Sequence, residues 1–179
     1  MTTFSFLGHV RGQRQRGFTL LLSVLVIGVI LSIGLAILNI TLKEFILSGY
    51  ARESYVSLNA ADAGMECVLY WDTSSNGGVF DDGAGASSVD CMGDSESVNG
   101  VAVGGITTHE LEFQWGSPVV CSQMTVTKYY SDSEALDMGD GRTCPMGYGC
   151  TEVISRGYNR ACNDLDGDRT VERALRARY

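Results

Sequence analysis

The chain has 179 residues, enough for one domain with a real core but not comfortably for two. Its apolar share of 45% is ordinary, and its formal charge of −8 argues against nucleic-acid binding over the whole surface. Charge and apolarity are, however, segregated along the chain.

Residues 1–17 form a basic segment, with Arg11, Arg14 and Arg16 and no acid. Residues 18–42 follow as 25 positions without a charge, FTLLLSVLVIGVILSIGLAILNITL. As a helix they would extend about 37 Å, more than the roughly 30 Å hydrocarbon core of a bilayer. An ordinary secretory signal has a shorter apolar region closed by small residues at a cleavage site. Here Asn39, Thr41, Lys43 and Glu44 stand at the end instead. Arginines directly before the span predict a cytoplasmic N-terminus and a translocated C-terminal part. That part carries 10 basic and 21 acidic residues, because three of the 13 basic residues precede Gly17.

Past the span, Leu47, Ala51, Leu58, Ala61, Met65 and Val68 recur at helical spacings, while Arg52, Glu53, Asn59, Asp62 and Glu66 sit mainly off that stripe. With no proline from residue 18 to 71, the pattern predicts one long helix, apolar on all sides first and amphipathic over 43–72. Residues 73–100, rich in Gly, Ser, Asp and Asn, read as a long connecting loop with room for a short strand near Val79 and Phe80.

Strand-like runs then fill residues 101–179: 101–107, 109–115 with Leu111, Phe113 and Trp115 on one face, 119–130, 151–158 and 170–179. Short strands joined by polar turns imply an antiparallel sheet, its apolar face packed on Leu58, Met65 and Val68. The expected fold class is therefore α+β, with a long N-terminal helix on a C-terminal antiparallel sheet.

All six cysteines follow the apolar span, as a disulfide framework made in an oxidising compartment requires. Spacing does not fix the pairing. The preferred set joins Cys67 to Cys91, Cys121 to Cys162, and Cys144 to Cys150. A zinc site is disfavoured, because Cys144 and Cys150 are spaced too widely for a zinc knuckle and have no histidine nearby.

The junction RGQRQRGFTLLLSVLVIGV places a glycine between the basic leader and a Phe-Thr-Leu start. It resembles the class III signal of type IV pilins and type II secretion pseudopilins. That resemblance implies cleavage by prepilin peptidase after Gly17 and methylation of Phe18. The apolar segment would be kept, first as an anchor in the cytoplasmic membrane with the head outside, and later as the core of an extracellular filament. Implied partners are prepilin peptidase, other pilin subunits, a membrane assembly platform and the lipid bilayer. Most members of the family carry a Glu at the fifth mature position, where this chain has Leu22. That departure points to a minor subunit rather than a bulk one. The stretch ARESYVSLNAADAGMECVLYWD is similar to the segment after the anchor in minor pilins.

Other chemistry has thinner support. Asp164, Asp166 and Asp168 in NDLDGDRTVE are calcium candidates, but the spacing departs from the EF-hand, and an acidic turn is the plainer account. Arg173, Arg176 and Arg178 could offer a basic edge to a neighbouring subunit or to DNA. Pairing with local acids, or protection of an edge strand, is the plainer reading. His109 reads as a surface residue at a strand start. No nucleophile motif or phosphate loop accompanies it, so neither an enzyme nor a cofactor is expected. The alternative to a filament subunit is a single-span anchored binding protein or adhesin that does not polymerise.

Overall fold

A computed structural model describes residues 15–73, 78–81 and 87–179. The basic leader therefore lies outside the described residues up to position 14. The chain divides into two compact units, Met1–Gly49 and Tyr50–Tyr179.

Helix α1 spans Gln15–Thr73, and no proline interrupts it. In the first unit every helical side chain from residue 17 to residue 49 is exposed. Leucines, isoleucines and valines stand on all sides there, as a helix without a packing partner among the described residues must present them.

The second unit packs the helix from Tyr50 onward against one face of a sheet. Its strands are β1 (Ser87–Cys91), β2 (Asp94–Val98), β3 (Gly100–Val103), β4 (Ile106–Trp115), β5 (Val120–Tyr130), β6 (Leu136–Gly139), β7 (Arg142–Cys144), β8 (Gly149–Tyr158) and β9 (Glu172–Arg178). Five of them form an antiparallel sheet in the order β3-β4-β5-β8-β9, while β1-β2 and β6-β7 are separate hairpins. The unit is thus α+β, with three disulfides.

Register sets the two faces. Leu111 lies opposite Met124, Met124 opposite Ser155, and Ser155 opposite Leu175, so these four share the face toward the helix. One end of that face is a seam of small residues. Ser155 Oγ donates to the Ala61 carbonyl at 2.7 Å, and Ser57 Oγ lies 2.7 Å from the Val171 carbonyl. A Cβ on Gly157 would collide with the backbone of Ser57 and Ala61, and one on Gly64 with the side chains of Ser122, Met124 and Ser155. The Ala-Ala-Asp-Ala-Gly run is explained by this approach: Ala60, Ala61 and Gly64 are buried in the seam while Asp62 faces solvent.

This seam corrects the expected stripe. Met65 and Val68 are buried, but Leu58 is 41% exposed. Ser57 takes the place at the sheet, where backbones meet too closely for a leucine. Beyond the seam the layers separate, and Met65, Val68, Phe80, Phe113, Met124 and Val126 fill the main core.

Residues 73–100 depart from the expected loop. Residues 78–81 form a turn closed by an Asp81 N–H bond to the Gly78 carbonyl at 2.8 Å, and hold no strand. β1 and β2 pair around Met92 and Gly93, whose φ of 54° and 88° suits a two-residue hairpin. Val89, Cys91 and Val98 point into the core, so a composition typical of loops conceals one buried side chain at alternate positions. The expected strand 101–107 is broken by Gly104 and Gly105, with φ of 60° and 80°. β4 consequently begins at Ile106 rather than His109. The hairpin β6–β7 has a small core of its own, formed by Tyr129, Leu136, Met138 and Cys144.

Candidate functional site

Gly17 and Phe18 both lie in the first turns of α1. No side chain would obstruct a Cβ at Gly17, and Phe18 is 69% exposed. The Gly–Phe junction is therefore followed immediately by the apolar surface, and Leu22 belongs to that surface.

Three hydroxyls within the apolar stretch are turned back on their own helix. Ser23 Oγ donates to the Leu20 carbonyl at 2.8 Å, Ser32 Oγ to Val29 at 2.8 Å, and Thr41 Oγ1 to Ile37 at 2.9 Å. A helix in hydrocarbon must satisfy its polar groups internally, and these side chains meet that condition. One helix near the N-terminus is long and apolar enough to cross a membrane, which is compatible with a single-pass anchor.

The cysteines are joined as Cys67–Cys91, Cys121–Cys162 and Cys144–Cys150. The first ties the last turns of α1 to hairpin β1–β2. The second holds the turn after β8 to the start of β5, and the third closes the loop between β7 and β8.

A polar cluster links the end of α1 to the sheet. Asp72 Oδ1 lies 2.6 Å from Lys128 Nζ, and Tyr179 Oη–H donates to Asp72 Oδ2 at 2.5 Å. Asp72 Oδ1 accepts no hydrogen bond, so Lys128 meets the buried carboxylate at that oxygen and Tyr179 at the other. Burial raises the Tyr179 phenol, and its bond to the Asp72 carboxylate raises it further.

The arginines of β9 are engaged locally. Arg178 Nε donates to Glu152 Oε1 at 2.5 Å, and Arg176 Nη1 donates to Asp140 Oδ2 at 2.9 Å. Arg173 Nε donates to Ser54 Oγ at 2.7 Å. Arg176 and Arg178 thus pair with local acids, Glu152 being the buried one they share, whereas Arg173 bonds a serine hydroxyl instead of an acid.

The calcium candidates are not drawn together. Asp164 is held by Arg160 Nη1 at 2.7 Å. Among the described residues, the group of metal-ligating types that converges is Glu112, Cys121 and Cys162, and its two sulfurs are bonded to each other.

His109 corrects its expectation as a surface residue. It is 5% exposed, because alternation along β4 puts it on the same face as Leu111 and Phe113. Its Nε2 lies 3.0 Å from the Phe80 carbonyl, and its Nδ1 has no partner. The period-2 pattern that identifies Leu111 and Phe113 as core would have identified His109 as well.

Comparison of the chain with protein-family models, with curated proteins and with solved structures found no match.

Proposed function

We propose that the chain is a minor subunit, pilin or pseudopilin, of a type IV pilus-like filament, cut by prepilin peptidase between Gly17 and Phe18. In this reading its apolar helix is held first by the cytoplasmic membrane and then by neighbouring subunits. The observation that carries the reading is the unpartnered helix surface beginning at a Gly–Phe junction directly after a basic leader. A surface of that kind needs lipid or other helices around it. Leu22 supports the minor role, because an apolar side chain there cannot attract the amine of an adjacent mature N-terminus.

A second reading is an anchored binding protein that does not polymerise. Exposed tyrosines in the head favour it. Mass spectrometry of the N-terminus, from cells with and without prepilin peptidase, separates the two. A methylated Phe18 is expected, appearing only with the peptidase. An intact leader in both strains would sink the filament reading.

A further inference from the structure

The five-stranded sheet ends in two unlike edges, β3 and β9. β9 carries Glu172, Arg173, Arg176 and Arg178, charges of the kind that keep an edge strand from pairing with another chain. β3 has no such guard. Its sequence is Gly-Val-Ala-Val, and no acid, lysine or arginine stands between Glu96 and Glu110. All four residues of β3 are exposed, Val101 at 69% and Val103 at 71%.

The ladder fixes which backbone groups of β3 are open. Tyr130 N–H donates to the Gly105 carbonyl at 2.9 Å. Bonding alternates along an antiparallel strand, so Thr107 and His109 then bond β5, and Ile106 and Thr108 bond β3. Their partners Val103 and Val101 turn their N–H and C=O groups toward β4. Ala102 and Gly100 turn theirs to the open edge, where no hydrogen bond engages them among the described residues. Val101 and Val103 also share one face of the sheet, opposite the face that buries Thr107 and His109.

The strand that suits this edge is a second copy of β3. Residues 100–104 read Gly-Val-Ala-Val-Gly, the same in both directions about Ala102. In an antiparallel pair with its two-fold axis at Ala102, the two Ala102 residues exchange their N–H···O=C bonds. Each Val101 then stands opposite Val103 of the other copy, and the exposed valines cover one another. Charge acts in the same direction. Two chains of formal charge −8 repel, but along this edge they meet without setting acid against acid. We propose that β3 is a self-association edge, through which two copies join their sheets in an antiparallel β3–β3 pair centred on Ala102. The inference rests on the head alone and is independent of filament assembly.

So short a contact makes a weak pair, which tethering to a common surface strengthens. The test therefore uses the full chain reconstituted in phosphatidylcholine vesicles. The native cysteines are all paired, so Ala102→Cys adds a lone thiol. At a hydrogen-bonded antiparallel pair the Cα atoms lie about 5.5 Å apart, within the reach of a disulfide. Under copper-phenanthroline oxidation, Ala102→Cys is expected to form a covalent dimer about tenfold faster than Ala174→Cys, an exposed position on β9. Adding Val101→Lys and Val103→Lys is expected to abolish that advantage. The unfolding temperature should stay unchanged, because both side chains are already exposed. Equal rates at the two cysteine positions, or a rate indifferent to the lysines, overturns the proposal. So does capture of a different protein, and not of a second copy, by Ala102→Cys in cells. None of these readouts involves the leader, so an intact leader would count only against the filament reading.

Discussion

Asp72 and Lys128 meet at 2.6 Å, joining the last turns of α1 to the middle strand of the sheet across the edge of the core. The Asp72 side chain is 2% exposed and that of Lys128 18%, so solvent screens the pair only weakly. Lys128→Met leaves a buried carboxylate with Tyr179 as its remaining partner. It is expected to destabilise the head by about 3 kcal/mol. Adding Asp72→Asn should recover part of that loss, and a double-mutant cycle on thermal unfolding measures the coupling.

Gly157 and Gly64 face each other's elements across the small-residue seam, but their collisions differ in kind. A Cβ at Gly157 meets backbone, which cannot rotate away, whereas one at Gly64 meets serine and methionine side chains. Gly157→Ala is expected to cost about 3 kcal/mol or prevent folding, and Gly64→Ala about 1–2 kcal/mol. Comparing the protease resistance of the two variants checks the order.

The bridges should rank by the chain they enclose. Sequence separations are 41 for Cys121–Cys162, 24 for Cys67–Cys91 and 6 for Cys144–Cys150. Chain-entropy estimates give ~4, ~3.5 and ~2.4 kcal/mol in that order. Paired Cys→Ser variants, compared by thermal unfolding, are expected to follow this sequence.

Alkaline pH should weaken the head. Burial first, and then the Asp72 carboxylate, hold the Tyr179 phenol above its ordinary value of 10.0, so the folded state favours the protonated form. Its contribution is complete below pH 10.0 and fades as pH rises from there through the folded value. Burial acts in the same direction on Tyr129 and Tyr158. Unfolding midpoints measured against pH should fall on the alkaline side, and more shallowly in Tyr179→Phe.

Long-period features were legible in the sequence. The uncharged run after Gly17 and the absence of proline both anticipate α1, and the alternation of Leu111 and Phe113 anticipates β4. The cysteine pairing was not legible in this way, because six cysteines allow many connectivities and spacing does not choose among them. What escaped is where small or polar residues do the packing. Hydropathy marks Leu58 as core and ignores Ser57, yet the approach of Gly157 reverses their roles. Hairpin β1–β2 is masked because its exposed positions are serines and acids around a few buried residues.

The inward hydroxyls of α1 have a mechanical consequence. With Ser23, Ser32 and Thr41 bonded to their own helix, passage from lipid into a packed protein environment exchanges no hydrogen bonds at those positions. At those three positions the helix presents shape rather than a free hydroxyl to whatever surrounds it. Asn39 differs: it is an exposed amide within the apolar run, a group able to hydrogen-bond across to any helix packed against it.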